Sequence, residues 1–510
     1  MRRLLAAVLL LAASPHAADA FCGFYISGGG AELFNNATQV VLMREGTHTV
    51  LSMQNNYQGP PENFAMVVPV PVVLQEQNVK TLPLEVFARV DKLGAPRLVE
   101  YWEQDPCQPE PDYEVRRPMM MTPEEAPMDD KSGGDLGVKI EAQFKVGEYD
   151  IVILSASEST GLDKWLRLNR YTIPEGAEPY LRPYVADGSK FFVAKVDIKK
   201  VKMRNGQAML SPLRFDYDSQ EFSLPIRLGM MNSSGTQDLI VNILARGKRY
   251  EVSNYDNQFI PTNIDVQDEV RRRFGEFYAA LFDRTVMKHP GAVITEYSWD
   301  AGSCDPCPEP PLEESEVATL GADVLAGDQQ GYYGFVLTRL HARYTKDGIK
   351  DDLVFREAKA VVGGREFLQD NGKLEEGWRY DSMNNFQGRY AIRHPWTGPI
   401  ECLNPVRGRW GGPPADQQIA TGPQAATDLA FAPRGAIALP MVVAEDIPEI
   451  GVIAGDASSA PPSGGPGVPK VKGKRSSCGG CAADGSGAAG GLLLASLVGL
   501  ALLSHRRHRR

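Results

Sequence analysis

Apolar and polar residues alternate with a period of two through much of the chain. Val138, Ile140, Ala142 and Phe144 alternate with Lys139, Glu141, Gln143 and Lys145, which predicts a strand with one buried face. Phe192, Ala194, Val196 and Ile198 repeat the pattern, as do Phe222, Leu224, Ile226 and Leu228. The β-branched runs 38–44 and 47–53 flank Glu45-Gly46 and predict a hairpin. Runs 239–245 and 249–252 predict a second hairpin, and runs 335–344 and 353–355, around Asp347-Gly348, a third. The run 64–74 is apolar, but Pro69 and Pro71 lack an N–H, which confines it to an edge or bulged strand. Residues 149–154 read as a more buried strand and 436–443 as an isolated one. Helical spacing is rarer. Thr160 can cap a short helix through Leu168, with Leu162, Trp165 and Leu166 on its apolar side. Val266, Val270, Phe274, Phe277, Tyr278, Leu281 and Phe282 form the widest amphipathic stripe, a helix packed on a sheet. The fold class implied is α+β, mainly antiparallel β with a few packed helices.

One stretch occurs nearly twice. Val99-Glu100-Tyr101-Trp102 leads to Asp105-Pro106-Cys107, then Pro109-Glu110-Pro111. Glu296-Tyr297-Ser298-Trp299 leads to Asp305-Pro306-Cys307, then Pro308-Glu309-Pro310. Each reads as an apolar strand end that closes on a cysteine turn. The simplest reading is two related tandem halves, residues 21–197 and 198–403. Equivalent turns would then meet through a disulfide from Cys107 to Cys304 or Cys307. Residues 404–477 drift toward Gly, Pro and Ala and read as an irregular segment and linker.

The 510 residues carry a formal net charge of −10, which argues against a nucleic-acid partner, since that needs a concentrated basic face. The two ends carry addresses. Arg2 and Arg3, the apolar stretch 4–13 and Ala18-Asp19-Ala20 read as a secretory signal over residues 1–20. Cys22 falls at the second mature position, where N-terminal lipidation is not expected. Residues 478–510 hold Cys478-Gly479-Gly480-Cys481, an apolar run 491–503 and the arginine cluster 506–510. A helix from 488 to 504 would span about 25 Å, short against a hydrocarbon core of roughly 30 Å. It reads as a membrane tail open to processing, with the arginines on the cytoplasmic side.

Candidate chemistry is sparse. Five cysteines precede the tail: Cys22, Cys107, Cys304, Cys307 and Cys402. In an exported chain these favour disulfides over redox chemistry or zinc, and a single Cys-x-x-Cys outside the tail gives no complete metal set. His48, His289, His341 and His394 form no His-Glu-x-x-His, and there is no Gly-x-Ser-x-Gly elbow. Gly28-Gly29-Gly30 is a turn, and Gly467–Lys474 is one residue too long for a phosphate loop. Met119-Met120-Met121 lies in a long exposed loop, 108–135, rather than in a copper site. No cofactor and no metal are implied. The favoured role is a non-enzymatic structural or interaction module of the envelope, its partner an envelope protein or a polysaccharide. The runner-up is an envelope hydrolase with acids the sequence does not single out.

Several stretches in order resemble the uncharacterised bacterial domain-of-unknown-function family numbered 2330. They are Phe21-Cys22-Gly23-Phe24-Tyr25, Phe64 to Pro71, Val99 to Cys107, Leu224 to Gly229, the Cys304 region, Leu337-Thr338-Arg339-Leu340-His341 and Arg393-His394-Pro395-Trp396. Together they span most of residues 21–402. The family is named for lacking an assigned function, so the resemblance implies none. The last 33 residues resemble the MYXO-CTERM sorting tails of exported proteins in myxobacteria and their relatives. That resemblance implies cleavage at Cys478 or Cys481 by an intramembrane protease and retention at the cell surface.

Overall fold

The computed structural model describes residues 24–27, 38–54, 64–108, 138–169, 171, 175–204, 207–232, 237–325, 331–344, 350–369, 373–414, 422–427 and 434–456. The chain divides into two units, 1–465 and 466–510, and all described residues lie in the first. The expected signal segment, the methionine loop and the sorting tail lie outside the described residues. Among the described residues no helix is long and apolar enough to cross a membrane.

The class is α+β, with strands dominating. An eleven-stranded mixed sheet forms the frame. Its centre is four neighbouring strands: Val293–Asp300, Phe335–Tyr344, Gln237–Arg246 and Thr38–Glu45. The first hairpin is present, with Thr38–Glu45 antiparallel to His48–Met53. A five-stranded sheet covers one face of this frame, and Val40, Leu42, Leu51 and Phe215 meet Met66, Ile151, Ile153 and Phe192 in the shared core. Helices Ser159–Leu168 and Glu178–Ala186 cover the outer side of the smaller sheet through Leu162, Leu166 and Leu181. On the other face of the frame, helix Leu84–Gly94 packs Phe87 and Val90 against Val41, Tyr297 and Leu337. Helix Phe274–Lys288 packs Phe277, Tyr278 and Phe282 over Ile294 and Tyr390.

Several expectations need correction. Arg249–Val252 pairs with Leu353–Ala358, not with Gln237–Arg246, so the second and third hairpins do not close as ladders. Turn residues reverse the chain locally, but burial chooses the strand's partner. Phe64–Val70 is an interior strand between Phe24–Ser27 and Lys190–Val196. The short first neighbour reaches only Val67, so Pro69 falls where that side has no ladder to break. Residues 439–442 form a helical turn rather than a strand. The cap of Ser159–Leu168 is Glu158, and Ser159, not Thr160, bonds away from the helix, to Glu178. In the strand Val138–Val146 a bulge between Ile140 and Ala142 switches faces, which leaves Ile140 half exposed.

The tandem duplication is not supported. Arg97–Glu103 lies in a small sheet, parallel to Arg389–His394 and antiparallel to Trp410–Gly411. Val293–Asp300 lies in the large sheet, antiparallel to both Phe335–Tyr344 and Asn385–Gln387. The two turns therefore follow strands with different neighbours and directions. Strands 38–53 share the large sheet with strands from 213 onward, so the frame crosses the expected boundary near residue 197.

Candidate functional site: two glutamate clusters and a polar groove

The repeated Glu-Tyr pair builds the same chemistry twice. In the strand Val293–Asp300 the register slips between Thr295 and Tyr297, so Glu296 is the extra residue of a bulge. A bulge re-aims a side chain, here under the two helices on that face. Opposite it, Arg339 and His341 share a face of Phe335–Tyr344. The Glu296 carboxylate accepts from Arg339 Nε at 2.7 Å, His341 Nδ1 at 2.7 Å and the Tyr278 hydroxyl at 2.5 Å. His341 Nε2 donates to Asp238 Oδ1 at 3.0 Å, and Phe282 stacks on the imidazole at 3.7 Å. Arg339 also reaches Asp91 at 2.6 Å. Arg343 and Arg434 both bridge Asp238 and Asp283.

These four carboxylates face three guanidinium groups and one imidazole, so the cluster is neutral when His341 is protonated. Burial disfavours the imidazolium, but Glu296 and Asp238 outweigh it and raise the His341 pKa. Burial would raise Glu296, yet His341, Arg339 and the Tyr278 hydrogen bond bring it down to about 2. Asp238 is likewise held far below its usual range, against burial, by His341 and Arg343. Glu296 and Arg339 are 0% exposed and His341 is 1% exposed. Both imidazole nitrogens are committed to carboxylates. The cluster can strut two helices to the sheet, but it offers no free nitrogen to a substrate.

The first copy is shallower. Glu100 takes both Arg271 donors at 2.6 Å and His394 Nε2 at 2.9 Å, and Trp102 stacks on His394 at 4.6 Å. Burial would raise Glu100, but Arg271 and His394 lower it. Each motif tyrosine also lies under an arginine, Tyr297 under Arg97 at 5.2 Å and Tyr101 under Arg389 at 5.4 Å.

The cysteine turns differ more. Cys107 is bonded to Cys402, with Cα atoms 5.5 Å apart, and Cys304 to Cys307, 5.0 Å apart. The expected bridge between Cys107 and Cys304 or Cys307 is therefore replaced by these two pairs. The start of the strand before the first turn does reach the second turn, because Arg97 donates to the Pro306 carbonyl at 2.8 Å. Cys22, Cys478 and Cys481 lie outside the described residues. Among the described residues no group of three or more His, Cys, Asp or Glu could hold a metal.

An open groove of about 440 Å³ lies elsewhere, where the edge of the core between the two large sheets meets the loop before Leu353–Ala358. Its floor includes Tyr217, Tyr184 and Asp352, and its rim Pro71, Asp187 and Glu221. Asp352 Oδ1 accepts from the Tyr184 hydroxyl at 2.7 Å and from the backbone N–H groups of Ile226 and Arg227 at 2.8 and 3.2 Å. Burial raises its pKa against those bonds. Tyr217 ends the apolar row Leu213, Phe215, Tyr217 of its strand. It is only 7% exposed and lines the groove. Nothing in the sequence marks these residues. The floor residues come from segments as far as 168 positions apart, brought together by the sheet packing.

The geometry defines a disulfide-clamped α+β protein with ionic struts and an accessible polar groove. A family model described as "Uncharacterized protein conserved in bacteria (DUF2330)" matches residues 16–356, about two thirds of the chain, and the chain belongs to that family. The matched range holds Glu100, Glu296, Arg339, His341 and the groove residues but ends before His394 and Cys402. No curated protein and no solved structure is matched by the chain.

Proposed function

We propose that this chain is an exported envelope protein that works as an interaction module, with the polar groove as its contact site. The carrying observation is the contrast in access. The deeper glutamate cluster has His341 doubly bonded and 1% exposed, and the shallower one binds His394 Nε2 to Glu100, whereas the groove opens hydroxyl and carboxylate groups to solvent. Export is supported by the two disulfides, which persist in oxidising compartments, together with the N-terminal signal pattern. The tail is then cut near Cys478 or Cys481, with its arginine end in the cytoplasm. The hydrolase reading survives on one observation, the raised carboxyl of Asp352 in the groove.

The full chain, expressed in bacterial cells that export it and recovered from their surface, tests this. It should carry both disulfides, end at Cys478 or Cys481, and retain envelope material that Ser189→Trp, placed in the groove, releases. Recovery from the cytoplasm, an intact Arg510, or unchanged retention by the Ser189→Trp variant would each remove one part of the proposal. Turnover of envelope polymer that Asp352→Asn abolishes would put the hydrolase first.

A further inference from the structure

We infer that the groove binds an uncharged saccharide segment, recognised inside by hydroxyl groups and screened at its mouth by carboxylates. The inference rests on the reading of the groove as the contact site and names its ligand class. Its volume of about 440 Å³ lies in the small-ligand range of roughly 300–1,000 Å³. Tyr217, 7% exposed, places a phenol on the groove floor, where its hydroxyl can meet a ligand. Burial also pushes its pKa well up, so it stays a neutral donor and acceptor at physiological pH. Ser189, Ser219 and Ser223 add further hydroxyl groups along the walls. Tyrosine and proline rings supply the flat apolar surface that the C–H face of a sugar ring covers, at Tyr184, Pro71 and Pro225.

The charges decide between ligand classes. The inner carboxylate, Asp352, already accepts three hydrogen bonds through Oδ1 and is anchored to the fold. The other two, Asp187 and Glu221, are exposed, where water and salt weaken their pull on a cation. They still repel an anionic polymer. What is left for recognition in the interior is hydroxyl chemistry, which suits a neutral polyol better than an amine or a uronic acid.

The test uses the disulfide-intact full chain with maltotriose, cellotriose and chitotriose as neutral probes, spermidine as the cation and trigalacturonate as the anion. Saturation-transfer NMR and calorimetry should show binding of at least one neutral trisaccharide and of neither charged probe. Tyr217→Phe should weaken that binding about 3- to 10-fold, the range for one neutral hydrogen bond, with the circular dichroism spectrum unchanged. Ser189→Trp should abolish it. Preferential spermidine or trigalacturonate binding, or no neutral binding at millimolar concentration, overturns the saccharide assignment. If Ser189→Trp still releases envelope material in that case, the contact site stands and only the ligand class falls. If Ser189→Trp changes neither readout, the contact site itself is wrong.

Discussion

The two Glu-Tyr motifs each place an arginine and a histidine on the glutamate and an arginine over the tyrosine, but in opposite balance. Glu296 is fully buried, and its histidine and arginine are too, while its cysteine turn closes only on itself through Cys304–Cys307. Glu100 is partly exposed, its Arg271 partner is 43% exposed, and its turn is tied across 295 positions through Cys107–Cys402. One motif is anchored at long range by buried charge and the other by a covalent bond. Residue identity is shared; burial and connectivity decide what each motif contributes.

The disulfides give the largest expected effect. In the chain-entropy model, closing the Cys107–Cys402 loop stabilises by about 5–6 kcal/mol, and the short Cys304–Cys307 loop by about 2 kcal/mol. Urea unfolding of Cys402→Ser should therefore show the greater loss, and Cys307→Ser the smaller. Equal losses would break the contrast between the turns.

The pH dependence of stability sharpens it. His341 is raised above 6.5, so its contribution is complete below that value and is lost as pH rises through the folded pKa. Glu296 is lowered from 4.5 to about 2, so its contribution is complete above 4.5 and is lost as pH falls toward 2. Thermal unfolding should show the cluster's stabilisation greatest between about pH 4.5 and 6.5, with an acid limb that Glu296→Gln flattens. An acid limb unchanged in that variant would place the acid sensitivity elsewhere. The smallest effect is expected in the groove, where Tyr217→Phe removes a single hydroxyl at the groove floor. It should leave the urea midpoint unchanged or slightly raised, and a loss above about 1 kcal/mol would mean that the hydroxyl supports the fold.

The Glu-Tyr repeat makes both glutamates legible in the sequence, because strand ends with paired turns leave a local signature. Their partners are not legible. Arg339 and His341 lie 43 and 45 residues beyond Glu296, and Asp91 arrives from a helix 248 residues before Arg339. Ladder register brings them together, and a bulge at Glu296 sets the angle. Period-two patterning identifies the strands, such as Phe335–Tyr344 and Lys190–Val196. It does not say that Arg249–Val252 pairs with a strand about 100 residues away rather than with its neighbour. The same limit applies to the disulfides: the repeat suggests Cys107 with Cys304 or Cys307, whereas the chain path through Arg389–His394 delivers Cys402 beside Cys107. The groove depends wholly on how two sheets stack, and Tyr217 alone reads as one more apolar strand position.

The most direct test of the contrast is urea unfolding of Glu296→Gln and Glu100→Gln, measured side by side with both disulfides intact. Removing one partner of a buried ion network costs about 3–5 kcal/mol, whereas a half-exposed pair contributes about 1 kcal/mol or less. Glu296→Gln should therefore lose several times more stability than Glu100→Gln. Comparable losses in the two variants, or a larger loss at Glu100, would contradict the account.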